Sequence, residues 1–229
     1  MYTVVISIGV APHNFERREA LRRTWLSWAR DQQDVKYVFF TEMPEKGHKR
    51  FAADTREKLQ QEQEKNKDMV FQEGPTGYGK NNGMREVVHI QYYMQRNRFK
   101  YYLRVDDDGF LCLQQLLEEL RWYMPQYTEL LHGKYHCHSA KARMDENYLL
   151  MSYGAAKVVA EAFATDRVPW NPALTFALSL GNIVPLLQRA INLHVFDDGE
   201  RFCWQVSVSV NIITGELNPR QKDLEGGGK

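Results

Sequence analysis

The run Val105-Asp106-Asp107-Asp108-Gly109 is the strongest chemical signal in the chain. Its three carboxylates follow an apolar, aromatic run, Lys100 to Val105 (KYYLRV), that reads as a strand. Grouped carboxylates repel one another, so a cluster without partners is costly. A hard divalent cation, Mn²⁺ or Mg²⁺, relieves that repulsion and also takes phosphate oxygens. If the extended geometry persists past Val105, Asp106 and Asp108 fall on one side and Asp107 on the other. Asp106 and Asp108 are therefore the expected metal ligands. The competing reading is a solvated acidic turn, eased by Arg104.

A second signal is Glu16-Arg17-Arg18-Glu19-Ala20-Leu21-Arg22-Arg23-Thr24-Trp25. Arg17 and Arg18 stand near a helix start, where cations oppose the helix dipole. Guanidinium groups there can address a phosphate or a nucleotide. The plainer alternative is a basic helix face paired with Glu16 and Glu19. Gly74-Pro75-Thr76-Gly77-Tyr78-Gly79-Lys80 fits the frame of a phosphate-binding P-loop. However, Asn81 stands where a metal-holding Ser or Thr belongs, and Pro75 and Tyr78 suit such a loop poorly. His132, His136 and His138 lack an evident third zinc ligand, because Cys137 points away from the His136/His138 face. His194, just before Asp197-Asp198, is a further possible ligand. No Gly-x-Ser-x-Gly elbow supports a serine hydrolase.

These residues must be positioned by regular elements. Tyr2 to Gly9 (YTVVISIG), Val35 to Phe40, Met69 to Phe71 and Lys100 to Val105 read as buried strands. Between them lie helical patterns: Leu21, Trp25 and Trp28 on one face, a polar helix from Lys49 to Lys65, and a helix from about Met84 to Arg96. Leu113, Leu116, Leu117 and Leu120 trace another helical face. The alternation predicts a doubly wound α/β sheet, mainly parallel, with ligands beyond the carboxyl ends of its strands. Later, Tyr148–Ser152, Ile191–Phe196 and Val206–Ile213 read as strands and Ala155–Phe163 as a helix. One domain is expected over residues 1–223, with 224–229 as a disordered tail.

Composition narrows the function classes. The chain has 229 residues, 43% of them hydrophobic, with 30 Lys+Arg against 29 Asp+Glu. That hydrophobic share excludes a disordered chain. Near-neutral charge gives no electrostatic case for nucleic acid. No run approaches the roughly 18 apolar residues of a membrane span. Cys112, Cys137 and Cys203 form no metal or disulfide framework.

The ordered set of motifs resembles the β-1,3-galactosyltransferase and N-acetylglucosaminyltransferase family, which includes the Fringe enzymes. Arg18 to Trp25 is similar to its R-x-x-x-R-x-T-W opening. Tyr37-Val38-Phe39-Phe40 matches its second strand, and Asp68-Met69-Val70-Phe71 followed by Tyr78 resembles its D-I-I…D-x-Y stretch. Tyr101 to Asp108 resembles its Y-x-x-K-x-D-D-D signature. The resemblance spans roughly residues 3 to 125. It implies a GT-A fold, Rossmann-like, and an inverting transfer from a UDP-sugar to a glycan hydroxyl. It puts Asp106 and Asp108 on Mn²⁺, Asp107 towards the donor, and Arg17, Arg18 and Arg104 on the nucleotide or diphosphate. It also implies the Golgi lumen, where one disulfide involving Cys137 or Cys203 could form.

The second half departs from that family. Its acidic E-D-V-x-x-G motif, which carries the base, has no acid in the corresponding Phe176 to Gly181. Asp145 and Glu146, or Asp197 and Asp198, are the candidate bases, with Asp197 and Asp198 favoured because they follow a strand. A non-transferring UDP-sugar- or glycan-binding protein on the same fold is the alternative, ahead of P-loop-type phosphoryl transfer.

Overall fold

The computed structural model describes residues 1–45, 51, 53–72, 82–123, 130–136, 143–164 and 194–197. The described strands are β1 (Tyr2–Gly9), β2 (Val35–Glu42), β3 (Met69–Gln72), β4 (Phe99–Asp106), β5 (Leu130–His136), β6 (Arg143–Ser152) and β7 (His194–Asp197). They form one sheet in the order β3-β2-β1-β4-β6-β5-β7. β1 lies parallel to both β2 and β4, while β6 runs antiparallel to β4.

Alternation along β1 builds two cores. Val4, Ile6 and Ile8 face α1 (Phe15–Arg23), α2 (Trp25–Ala29), α3 (Thr55–Asn66) and α5 (Leu113–Glu118), through Leu21, Trp25, Leu26, Leu59 and Leu116. Val5 faces the other way, into an aromatic-rich core with α4 (Asn82–Arg96) and α6 (Tyr153–Ala164). Fully burying one Val, Leu or Phe side chain contributes about 1.5–3 kcal/mol, so the two covered faces hold the sheet rigid under its rim.

The chain runs outward from β1 to β2 and β3, then returns to β1's other side as β4. That reversal is a topological switch point, where open α/β sheets leave a crevice at the strands' carboxyl ends. Gly9 pairs with Asp106, so the end of β1 and the first carboxylate are strand neighbours.

Several elements differ from the sequence expectation. The helix expected through Trp28 breaks at Thr24, whose Oγ1 donates to the Ala20 carbonyl at 2.8 Å, and resumes as α2. β5 supplies an extra strand, paired antiparallel with β6. Residues 73–81, which include most of the glycine-rich loop, lie outside the described residues. So do Cys137, His138, Val206–Ile213 and the tail. Cys112 is exposed and free.

Candidate active site at the switch point

β4 delivers the carboxylates to the rim and then turns. The Gly109 N–H donates to the Asp106 carbonyl at 3.4 Å, closing a turn over Asp107 and Asp108. The extended geometry therefore ends at Asp106, and the three side chains do not alternate as a continued strand would. Asp106 and Asp107 line a cleft of ≈ 330 Å³; Asp108 sits outside its lining, with its side chain 63% exposed.

The opposite wall is the loop from Gly9 to Asn14 and the start of α1. Asp107 ties the walls together. It accepts hydrogen bonds from Asn14 Nδ2 at 2.7 Å and from Arg17 Nη1 at 3.0 Å. Arg17 Nη1 also lies 3.9 Å from Asp108. Asp107 thus places Arg17 at the mouth, and its charge offsets the poor match between Arg17 and the positive end of α1.

Arg104 points from β4 into the floor. Its Nε donates to Glu86 at 2.8 Å and its Nη2 to Asp106 at 3.1 Å. Glu86, buried on α4, also accepts a short hydrogen bond from Tyr102. Burial, reinforced by the Glu86 charge, pushes the Tyr102 phenol well above its ordinary value, so it remains a donor. His89, one helical turn on, pairs through Nδ1 with Ser7 Oγ at 2.8 Å and stacks on Phe40 at 3.9 Å. Burial, and then the charges of Arg104 and Arg85, hold His89 well below its ordinary value, so it is neutral. Arg85 closes the far side on Glu42 at 3.2 Å.

Arg18 departs from the expectation. It does not line the cleft; it is fully buried beneath it. Nε and Nη2 grip Glu62 of α3 at 2.9 and 2.7 Å, while Nη1 and Nη2 donate to the carbonyls of Ala11 and Pro12 at 3.0 and 3.2 Å. Arg22, one turn on, holds Glu62 at 2.6 Å and Asp68 at 2.8 Å. Burial works against the Arg22 charge, but the Asp68 and Glu62 bonds outweigh it and raise its pKa. The arginines of R-x-x-x-R thus share a helix face, as i, i+4 spacing dictates, and form a scaffold behind the cleft loop. The polar helix read from Lys49 to Lys65, observed as α3, supplies their partner, Glu62.

The described residues therefore bring Arg17, Arg104, Asp106 and Asp107 into one cleft, with Asp108 at its edge. The carboxylates proposed as bases lie elsewhere along the rim. Asp197 ends β7 opposite Gly133, which pairs with Leu149, itself opposite Arg104. Three strand spacings separate Asp197 from β4, about 14 Å. Asp198 lies outside the described residues. Asp145 and Glu146 lie on β6, directly beside β4: Tyr148 pairs with Val105, so the preceding β6 residues continue past the carboxylate turn. Sequence reading does not single out Glu86, Asn14, Arg85 or His89. Glu86 alone leaves a signal, a carboxylate at i, i+4, i+7 spacing with the apolar Ile90 and Tyr93.

A galactosyltransferase family model matches residues 16–160, well over half of the chain. The chain belongs to the galactosyltransferase family. This match carries the chain away from P-loop phosphoryl transfer. Among solved structures, one similar fold is a glycosyltransferase involved in the glycosylation of the major capsid of PBCV-1. It is 10% identical at a TM-score of 0.51, over 85% of this chain and 81% of that one. A cytidylyltransferase from Leptospira borgpetersenii is 13% identical at a TM-score of 0.47, over 93% of this chain and 83% of that one. A 4-diphosphocytidyl-2C-methyl-D-erythritol synthase from Anaerococcus prevotii is 11% identical at 0.47, over 98% and 96%. No curated protein sequence matches the chain. For this galactosyltransferase-family chain, a sugar donor and an acceptor follow from the family, and the mixed α/β fold is similar to that of the capsid-glycosylating glycosyltransferase.

Proposed function

We propose that this galactosyltransferase-family domain is an inverting, divalent-cation-dependent hexosyltransferase that moves a hexose or N-acetylhexosamine from a UDP-sugar to a glycan hydroxyl, in β-1,3 linkage. The supporting observation is the charge inventory of the switch-point cleft. Arg17, Arg85 and Arg104 line it, and each is already paired with a carboxylate among Glu42, Glu86, Asp106 and Asp107. Among the described lining residues, carboxylates outnumber guanidiniums. A bare diphosphate meets no surplus positive charge there, so its binding calls for a cation.

Two carboxylates are what the chain would offer Mn²⁺ or Mg²⁺, since among the described residues no group of three or more His, Cys, Asp or Glu side chains gathers as a metal site. Asp106 and Asp108 offer hard oxygen donors at the rim, and Asp108 is well exposed to solvent. Asp107 is the worst placed of the three, since both its oxygens already accept from Asn14 and Arg17. Asp106 and Asp108 would hold the ion, with phosphate and water oxygens completing its shell. When bound, it supplies Lewis-acid neutralisation of the departing diphosphate.

The chain's own groups do the rest. Arg17, held by Asp107, and Arg104, held by Glu86, orient the donor's diphosphate and ribose. A carboxylate takes the acceptor hydroxyl's proton as that oxygen attacks the anomeric carbon. The bond from the anomeric carbon to the diphosphate oxygen breaks, and UDP leaves with the electron pair. Strand register favours Asp145 or Glu146 as that base over the more remote Asp197. A Golgi-lumenal setting suits this activity, and among the described residues no helix is long and apolar enough to cross a membrane.

The test is a donor screen with UDP-galactose, UDP-N-acetylglucosamine and UDP-N-acetylgalactosamine, with glycan acceptors and Mn²⁺. Transfer from one donor, lost on chelation, supports the reading. Donor binding without transfer to any acceptor leaves a sugar-nucleotide-binding protein on the same fold.

A further inference from the structure

Glu86 is a carboxylate in an apolar place. Its neighbours on the inner face of α4 are Val87, Ile90 and Tyr93, all buried in the aromatic-rich core. Burying a charge costs several kcal/mol unless partners offset it, and helix-on-sheet packing here gains nothing from one. What Glu86 does engage is the floor of the cleft. It accepts from Tyr102, takes Arg104 Nε at 2.8 Å, and lies 3.6 Å from His89 Nδ1. Arg104 in turn reaches Asp106 Oδ1 at 3.1 Å. One guanidinium therefore spans two carboxylates, one buried on α4 and one at the rim.

We infer that Glu86 is a positioning residue for the cation site, acting through Arg104; this rests on the metal-dependent reading above. Arg104 left alone on β4 would place its whole charge against Asp106. A cation held by Asp106 would then sit beside an uncompensated like charge. Glu86 takes up that charge from behind and fixes the guanidinium plane through Nε, leaving Nη2 to orient the Asp106 carboxylate. His89, neutral and stacked on Phe40, packs against Glu86 without adding positive charge.

The test measures the midpoint of a Mn²⁺ titration at saturating UDP, read by tryptophan fluorescence, with a thermal melt for each variant. Glu86→Gln keeps the shape and removes the charge. Without that charge Arg104 loses its Nε anchor and turns its full charge on Asp106, where one added charge-assisted contact competes with the cation, so the midpoint rises roughly tenfold, while metal-free UDP binding is unchanged or tighter. Glu86→Asp keeps the charge but withdraws it from Arg104 by about one C–C bond, 1.5 Å, which weakens the Nε anchor without abolishing it, so the midpoint rises by less, about threefold. That variant carries the test if Glu86→Gln does not fold. In an Arg104→Gln background, Glu86→Gln adds less than about twofold, because the pair acts as a unit. A midpoint unchanged in the folded Glu86 variants overturns the inference, as does an undiminished Glu86→Gln effect without Arg104. Wild-type protein that binds UDP equally with and without Mn²⁺ refutes the metal-dependent reading itself.

Discussion

Replacing Arg18 separates a scaffold role from a nucleotide contact. Arg18→Met keeps the side chain's length and apolar stem but deletes the guanidinium. The structure gives that group bonds to Glu62 and to the Ala11 and Pro12 carbonyls, with none of its surface exposed. Breaking a buried ion pair from one side costs about 3–5 kcal/mol, because the abandoned charge stays buried. Glu62 keeps Arg22 at 2.6 Å, which places the cost near the lower end, about 3 kcal/mol. For a chain of this size that lowers Tm by about 6–12 °C. Glu62→Gln alone should be similarly harmful, and the double variant should recover about 1 kcal/mol or more, the signature of coupling. The pair also carries a pH signature. Burial pushes the Glu62 carboxyl up, but the bonds from Arg18 and Arg22 outweigh it, so it lies below its ordinary 4.5. Its contribution is therefore present above that value and lost as pH falls beneath it. Calorimetry of the two single variants and the double variant, followed by UDP titration of each folded protein, reads all of this. A variant that melts within about 2 °C of wild type yet loses UDP affinity more than tenfold refutes the scaffold argument and returns Arg18 to the nucleotide.

Other outcomes follow from the same geometry. Lys67 caps α3 in the left-handed region at φ 56, so Lys67→Gly should raise stability by about 0.5–1 kcal/mol in a denaturant melt, the relief of a strained non-glycine residue. His89 is held well below its ordinary 6.5 by burial and the neighbouring arginines. The unfolded chain binds its proton first on acidification, so stability is full above 6.5 and declines below it. His89→Asn, measured from pH 7 to 5, should flatten that decline. Asp107→Ala removes the tie to Asn14 and Arg17 and should raise the donor KM about tenfold with little change in Tm, as expected for one charge-assisted contact at the cleft mouth.

The strands β1, β2 and β4 are legible in the sequence because they are short apolar runs rich in Val, Ile, Phe and Tyr, and strands buried on both faces have that pattern. The carboxylate turn is legible because three adjacent acids at the end of such a run repel one another and call for a counter-charge. The roles of the arginines are not. Arg17 and Arg18 are adjacent and chemically identical in the sequence, yet one opens onto the cleft and the other is sealed beneath it. Their difference is made by Asp107 and Glu62, which are 90 and 44 residues away from Arg17 and Arg18. Ion-pair partners at such separations leave no periodic trace. Glu62 is hidden further by its helix, whose polar surface reads as solvated although Leu59 and Glu62 face inward. The break at Thr24 leaves no mark on the pattern, because Leu21, Trp25 and Trp28 keep helical spacing across it.

Asp106 and Asp108, not the arginines, are central to the functional account, and their part is accessible to direct titration. UDP is added to the wild-type chain and to Asp108→Ala, with Mn²⁺ and with chelator, and tryptophan fluorescence is followed. Donor binding through a cation on Asp106 and Asp108 predicts saturable binding for the wild type in Mn²⁺ alone, and for Asp108→Ala a folded protein whose UDP binding no longer responds to Mn²⁺. Wild-type binding that is the same in chelator, or Mn²⁺-dependent binding retained by the folded Asp108 variant, would contradict it.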